Sequence, residues 1–340
     1  MSSPRVVIFG GSGFIGTRLV ARLLDAGCDV RVADIVGSSE YPDLYVPCDV
    51  RDFDDVAAAC RDRDVIYNLA AEHVDDVQPR DLYYQTNVDG ARNLCRAAET
   101  TGIRRMIFTS SVAIYGLPDR ETDENGAAAP FNDYGKSKLQ AEEVHREWLR
   151  GAEDRCLVIV RPTVVFGEGN HHNFYALVKQ LATGRFLMVG KGRNRKSIAY
   201  VENVAAFLQF ALRFEHGEHT FNYVDKPDFD MNTLVPMLRG MLGRPARVGV
   251  RLPYWLGYGL GLACDAVARI TKKRLPISAV RVKKFCGSTQ FSAQKVLAAG
   301  FEPPCSLEQG LKETIRAEFP PTHVRRNSNP KASQKPGISL

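Results

Sequence analysis

The sequence predicts an α/β protein: a doubly wound, mostly parallel sheet in the first half, joined to a smaller α+β part. Three observations carry this. Short β-branched runs alternate with helical patterns over residues 1–167. The intervals between runs are long enough for the crossovers that parallel strands require. Runs such as Val6-Val7-Ile8-Phe9 are apolar at every position, as strands covered on both faces are.

Taken in order, strands are expected at Val6–Phe9, Val30–Ala33, Leu44–Val46, Val65–Asn68, Arg105–Phe108 and Leu157–Val160. Helices are expected to start near Phe14, Phe53, Leu82 and Tyr134. After Gly167 the pattern loosens into pieces separated by Gly- and Pro-rich turns. Helices are expected there at Asn173–Thr183, Val201–Phe214, Met231–Leu242, Tyr254–Ile270, Ser292–Ala299 and Leu307–Glu318, with short strands near Phe186–Val189 and Thr220–Tyr223. Residues 168–319 are read mainly as a substrate-binding part, although the helix near 201–214 is expected to return to the first sheet. Residues 320–340 read as a disordered basic tail, because Pro, Ser, Asn and Lys dominate them.

The chain has 340 residues, with 44% hydrophobic and 25% charged side chains, ordinary values for a soluble domain. The net charge is +6, and Arg325, Arg326, Lys331 and Lys335 account for much of it. No nucleic-acid partner is expected. The eight cysteines are scattered, without CxxC or metal-type spacing, which suits a reducing, cytoplasmic setting. No signal peptide is expected, since Arg5 leads straight into the first strand. The Leu252 to Ile270 stretch contains Asp265 and Arg269, so no spanning segment is expected. It reads as a helix packed on the rest of the protein, with an interfacial helix as the alternative. Trp148 and Trp255 are read as packing residues.

The chemistry starts at Gly10-Gly11-Ser12-Gly13-Phe14-Ile15-Gly16, which follows the first strand and opens the first helix. Glycines there let backbone N–H groups approach a pyrophosphate, and the helix N-terminus favours its charge. A second strand ends in Asp34, about twenty residues on, where a carboxylate can accept hydrogen bonds from an adenosine ribose. It would repel a 2′-phosphate. NAD is therefore the expected cofactor on a Rossmann-type sheet, with Arg31 and Arg51 as the residues that argue for NADP. Tyr134 and Lys138, four residues apart, share one face of a helix, and a neighbouring ammonium favours the phenolate.

The loop has Gly-x-x-Gly-x-x-Gly spacing, and Tyr134-Gly-Lys-Ser-Lys138 lies downstream. With these motifs the sequence resembles the extended branch of the short-chain dehydrogenase/reductase superfamily, the epimerases and dehydratases. Further pieces fall in register. Asp49-Val50 looks like the family's adenine-contacting pair, and Leu69-Ala70-Ala71 like the segment that passes under the cofactor. Asn87-Val88-Asp89-Gly90 resembles its Asn-Val-x-Gly. Ser111 to Gly116 is similar to its Ser-x-x-Val-Tyr-Gly. The resemblance implies Tyr134 as general acid/base for an alcohol–ketone interconversion. It implies Lys138 on the nicotinamide ribose, Ser111 on the reacting oxygen, and Pro162 against the cofactor. Ser110 is read as a backbone-capping hydroxyl. A homodimer is expected.

For the substrate, the stretch Gly190 to Val204 resembles the family segment that supplies a cation to a nucleotide-sugar diphosphate. Lys196 takes that position, with Arg193 and Arg195 beside it. The resemblance implies a UDP- or dTDP-sugar substrate and a 4-epimerase or 4-ketoreductase of polysaccharide precursor synthesis. Val164 departs from the pattern, standing where sugar-nucleotide epimerases often place Asn. Arg161 to Gly167 also resembles the 3β-hydroxysteroid dehydrogenase-like branch, so a bulky alcohol is the alternative substrate. A non-catalytic NAD sensor is the alternative of another class. Val112-Ala113 after the catalytic serine disfavours 4,6-dehydration. His171-His172 is read as lacking carboxylate company, so no metal is expected. His73 is read as a satisfied loop residue, with a place near the cofactor or substrate as the alternative.

Overall fold

The computed structural model describes residues 3–74, 77–271 and 279–320. Its first half runs β1 (Arg5–Phe9), α1 (Phe14–Asp25), β2 (Asp29–Asp34), β3 (Tyr45–Pro47), α2 (Phe53–Cys60), β4 (Val65–Asn68), α3 (Asp81–Tyr84), α4 (Gly90–Thr101), β5 (Arg105–Thr109), α5 (Asp133–Arg150) and β6 (Cys156–Pro162). The second half runs β7 (Val164–Phe166), α6 (Asn173–Thr183), β8 (Met188–Val189), β9 (Arg195–Tyr200), α7 (Val201–Phe210), β10 (Gly217–Tyr223), β11 (Asp225–Asp230) and α8 (Met231–Met241). It closes with β12 (Arg251–Leu252), α9 (Tyr254–Thr271), α10 (Ala279–Cys286), α11 (Gln294–Ala298) and α12 (Leu307–Glu318).

Seven strands form one parallel sheet in the order β10-β6-β5-β4-β1-β2-β3. Alternate residues of each strand serve opposite faces. Val6 and Ile8 pack with α1 and α7 residues such as Leu19, Val20 and Phe207, whereas Val7 and Phe9 pack with Leu94, Ala98 and Trp148 from α4 and α5. All seven residues of β6 are buried; Cys156 to Val160 form the continuous apolar run of a strand covered on both faces, and Arg161 is the one charge among them. The architecture is therefore the predicted Rossmann-type doubly wound sheet.

Two placements differ from the sequence reading. The strand near Thr220–Tyr223 belongs to the main sheet, as β10 paired with β6 from Gly217–Cys156 to Tyr223–Pro162. Helix α7 is the crossover that delivers it, covering the sheet beside α1; Tyr67 Oη donates to Leu208 O at 2.9 Å. The sequence reading also lacks β7, β9, β11, β12 and α10. Of these, β7, β9 and β11 form a separate three-stranded sheet in the order β11-β9-β7. This sheet backs a second core with Phe174, Leu181, Leu234, Leu238 and Leu311. The expected disordered tail lies outside the described residues except for Pro320.

Asn203 and Asp225 tie the two parts together. Asn203 Nδ2 donates to Asp225 Oδ1 at 3.0 Å and to Cys305 O at 2.7 Å. Asp225 also accepts from Tyr200 N at 2.7 Å and Tyr223 Oη at 3.2 Å. Burial raises its carboxyl to about 6 despite these donors.

Candidate active site

The turn from β1 into α1 forms a cradle of glycines. Gly10 has φ +79°, and a side chain there would meet the Ala70 nitrogen at 2.7 Å; one on Gly16 would meet the Gly11 Cα at 2.7 Å. Both contacts are with backbone, so only glycine lets β1, α1 and the Leu69–Ala71 segment close to this distance. Gly13 precedes α1 without any side-chain cap, and no acid lies in its first turn. Phe14 and Ile15 begin the helix itself and pack against the second core. Ser12 Oγ is buried with no hydrogen-bond partner. Free helix N–H groups and an orphaned hydroxyl suit a bound phosphate group.

Asp34 stands at the end of β2. Its Oδ2 accepts from Ser12 N at 3.0 Å and its Oδ1 from Val36 N at 3.1 Å, so the carboxylate is aimed across the glycine turn. The two arginines that argued for a 2′-phosphate are engaged elsewhere. Arg31 Nη1 donates to Ala59 O and Arg61 O at 2.8 and 2.9 Å. Arg51 Nε holds Asp49 Oδ1 at 2.9 Å, and that pairing lowers the Asp49 carboxyl. Val50 is buried and its carbonyl accepts from Asn93 Nδ2 at 3.0 Å.

Leu69 N donates to Phe9 O at 2.8 Å, which lays the Leu69-Ala70-Ala71 segment against the glycine turn. Asn87 holds the next residues in place. Its Oδ1 accepts from Glu72 N at 2.9 Å, and its Nδ2 donates to Glu72 O at 3.1 Å and to Ser137 Oγ at 2.8 Å. Its amide therefore staples that segment to α5. Pro162 closes β6 opposite Tyr223.

Helix α5 brings the reactive groups together. Asn132 caps it, accepting from Gly135 N at 3.0 Å, so Tyr134 lies in the first turn. The 3-10 turn Val112–Tyr115 begins at Ser111, whose Oγ accepts from Ala113 N at 3.1 Å. Ser111 is also the hydrogen-bond partner of the Tyr134 hydroxyl. Lys138 is buried one helical turn on, its Nζ donating to Thr109 O at 2.8 Å and lying 4.8 Å from the centre of the Phe108 ring. Ser111, Tyr134 and Lys138 thus meet on one side of α5.

Their proton affinities follow burial first. Desolvation raises the Tyr134 phenol, and the Ser111 hydrogen bond works against it. Desolvation pushes the Lys138 ammonium down to about 7, with Glu142 pulling the other way. The sequence reading expected the ammonium to lower the phenol. Here loss of water is the largest influence on each group, and the partners that oppose it are Ser111 and Glu142.

Behind them lies a charge network that spacing alone did not disclose. Arg161 reaches Glu142 through Nη2 at 2.6 Å and Nε at 2.8 Å. Ser110 Oγ donates to Glu142 Oε1 at 2.6 Å. Ser110 is therefore not a backbone cap; it is one of the donors that let a buried carboxylate stay ionised. Arg161 also meets Tyr115 Oη, which donates to Asn222 Oδ1 at 2.9 Å. His145 continues the same helix face, stacked on Phe108 at 4.2 Å, and burial pushes its imidazole down to about 4. The i, i+4 series Tyr134, Lys138, Glu142 was the sequence signal available for this network.

The expected substrate cations separate. Lys196 Nζ is tucked inward, donating to Lys284 O at 2.8 Å and Gly287 O at 2.6 Å, and burial pushes it down to about 8. Arg193 and Arg195 are exposed, and neither guanidinium has a hydrogen-bond or ion-pair partner among the described residues; the Arg195 backbone is held, its N donating to Ser288 Oγ at 3.2 Å. Val164 is about half exposed. His171 does have a carboxylate partner, Glu318 Oε2 at 3.1 Å, contrary to expectation, because α12 folds back beside it. His73 and His172 meet edge to face at 5.4 Å. Among the described residues no group of three or more potential ligands could hold a metal ion. A cavity of about 1450 Å³ opens beside Tyr115, Phe131, Lys283 and Lys284. It adjoins the turn that starts at Ser111 without including Ser111, Tyr134 or Lys138 in its walls.

Comparison with known proteins agrees with this geometry. The model of the NAD dependent epimerase/dehydratase family matches residues 6–223. The N-acetyl-alpha-D-glucosaminyl-diphospho-ditrans,octacis-undecaprenol 4-epimerase of Escherichia coli O157:H7 is 47% identical over 327 residues, covering 96% of this chain and 98% of that protein. The UDP-glucose 4-epimerase of Vibrio cholerae is 27% identical over 333 residues, covering 92% and 94%. Among solved structures, MoeE5 in complex with UDP-glucuronic acid and NAD superposes with a TM-score of 0.73 at 22% identity, covering 92% of this chain and 98% of that one.

Proposed function

The chain belongs to the NAD-dependent epimerase/dehydratase family, and on that premise we propose that it inverts C4 of an N-acetylhexosamine joined through a diphosphate to a polyprenol. The enzyme is an NAD-dependent epimerase of the nucleotide-sugar type. The observation that carries the finer reading is the 47% identity, over almost the whole of both chains, to an epimerase of N-acetylglucosaminyl-diphospho-undecaprenol. A UDP-sugar is the second reading, favoured by the 27% identity to a UDP-glucose 4-epimerase. Both substrates share a sugar on a diphosphate, and the two differ only in what lies beyond it.

Gly10, Gly13, Phe14, Ile15 and Gly16 would hold the NAD pyrophosphate, and Asp34 the adenosine ribose. Asp49, Val50, Leu69, Ala70, Ala71, Asn87 and Pro162 would frame the rest of the cofactor. When bound, NAD would supply reversible hydride transfer at the alcohol carbon. The chain's own residues manage the proton. Tyr134 takes it from the C4 hydroxyl and later returns it, Ser111 donates to that same oxygen, and Lys138 orients the nicotinamide ribose. Arg193 and Arg195, exposed and unpaired, are the cations available to a diphosphate, with Lys196 stiffening the strand beneath them.

The test is to incubate the purified protein and NAD with N-acetylglucosaminyl-diphospho-undecaprenol in detergent and to identify the released sugar by chromatography. Appearance of N-acetylgalactosamine supports the reading. Epimerisation of UDP-N-acetylglucosamine alone gives the second reading the case. Oxidation of a neutral steroid alcohol, with neither sugar altered, overturns both.

A further inference from the structure

Helix α9 exposes the wrong side chains for a helix facing water. From Tyr254 to Cys264 it carries no charge. At about 100° per residue, Leu262, Trp255, Ala266, Ala263, Val267 and Leu260 fall on one unbroken arc of about 160°. Every one of these is exposed, with Trp255 at 72% and Leu260 and Leu262 at 50%. The opposite side is occupied, since α10 packs there and Asp265 Oδ2 accepts from Ala279 N at 3.1 Å. The expectation that this helix, and Trp255 with it, packs on the rest of the protein therefore fails for the outward arc. An apolar stripe of this width is uncommon on a water-facing helix and marks a contact surface.

The charge around it identifies the contact. Between Met231 and Phe301 the sequence has twelve Lys and Arg residues and a single acid, Asp265, whereas the whole chain is only +6. Lys272, Lys273 and Arg274 follow α9 directly in sequence. At its start, Lys191, Arg251 and Lys283 line a cavity of about 730 Å³ with Tyr254 and Trp255. Lys283 also lines the larger cavity that adjoins Tyr115. Cations at the start of a charge-free stripe headed by Tyr and Trp, within a strongly basic stretch of sequence, are the pattern of a helix lying in the boundary of an anionic bilayer. No described helix is long and apolar enough to cross one.

We propose that α9 seats the protein on an anionic membrane surface, with the cavity at its N-terminal end turned to the headgroup layer. The surface argument stands on α9 and its charges; what it is for rests on the polyprenol-diphosphate reading. A polyprenol-linked sugar keeps its diphosphate in that layer, so a protein seated there meets the substrate without extracting its tail. Lys283, common to both cavities, then marks the way from the bilayer toward the catalytic turn.

The full chain is mixed with vesicles of phosphatidylcholine, or of phosphatidylcholine with phosphatidylglycerol, and sedimented. Binding to the anionic vesicles, weakened by salt, is expected, together with a blue shift of tryptophan fluorescence; Trp148 is buried, so the shift reports Trp255. A variant combining Leu260→Ser, Leu262→Ser and Val267→Ser, which leaves the cavity lining intact, should bind at least about tenfold more weakly. It should keep full epimerase activity on substrate dispersed in detergent. Failure of the unaltered protein to sediment with either vesicle overturns the proposal, as does equal sedimentation of the variant. So does a dimer by light scattering that the variant turns into a monomer, because the stripe is then a contact between copies. The detergent assay reads the catalytic assignment separately, so loss of one reading is distinguishable from loss of the other.

Discussion

Arg161 and Glu142 form a buried two-point ion pair, at 2.6 and 2.8 Å, on the helix face that carries Tyr134 and Lys138. Glu142→Gln leaves the Arg161 guanidinium without its counter-charge, and breaking a buried pair from one side costs about 3–5 kcal/mol. Urea unfolding should show a loss of that order. A change below about 1 kcal/mol would mean that the hydrogen bonds of Ser110 Oγ at 2.6 Å and Arg146 Nη2 at 3.1 Å to this side chain carry the network without the Glu142 charge.

Tyr134→Phe keeps the ring and removes the proton that must move. Turnover should fall about 10²–10⁴-fold with NAD affinity unchanged by calorimetry. Ser111→Ala should also lower turnover while leaving NAD binding intact. Retention of full activity in Tyr134→Phe would remove Tyr134 from the acid/base role.

Asp34→Ala removes the acceptor expected to meet the adenosine ribose. NAD binding should weaken by about 1.5–3 kcal/mol, and NADP should lose far less, because the repulsion of its 2′-phosphate goes too. Tighter binding of NADP than NAD by the unaltered protein would contradict this.

Lys138 gives a pH signature in the cofactor-free protein. Its folded value of about 7 lies below the value near 10.4 of an unfolded lysine. Between these limits the unfolded chain holds a proton that the folded chain has released. Lys138 therefore makes stability rise with pH from about 7 to about 10, by up to about 1.4 kcal/mol per unit. Below about 7 both states are charged, and the cost of burial is constant. Unfolding of Lys138→Met across that range should lack this slope; the same slope in both proteins would show that the ammonium is not its source.

Arg193→Ala and Arg195→Ala should each raise KM for the diphosphate substrate more than they lower kcat, since a diphosphate contact is much the same before and during reaction. Lys196→Ala should instead destabilise the 284–287 segment, because its ammonium bonds the carbonyls of Lys284 and Gly287. A KM effect confined to Lys196 would place the diphosphate beneath the strand.

Much of this site is legible in local sequence because its geometry is local. The glycine turn, Asp34 at a strand end and the four-residue spacing of Tyr134 and Lys138 need only one element each. What escapes depends on distant partners. Glu318 reaches His171 across 147 positions. Strand β11 hides because Asp225-Lys-Pro-Asp-Phe-Asp230 holds residues that strands disfavour. The exposed apolar arc of α9 has the same composition as a packed helix, and only its exposure separates the two.

The pairing of β10 with β6 has a consequence for how the chain is made. A ribosome that has released only residues 1–167 has supplied six strands of the seven-stranded sheet, with β6, buried along its whole length in the finished protein, as a bare border. The backbone donors and acceptors on the side away from β5 stay unpaired until some fifty further residues, including the whole α7 crossover, have emerged. Such an edge invites pairing with a neighbouring nascent chain, and late long-range pairing slows the final step of folding. Residues 1–167 are thus not a module that can be cut out at Gly167; excised there, they should aggregate, whereas a fragment carried through Tyr223 has the means to close its own border.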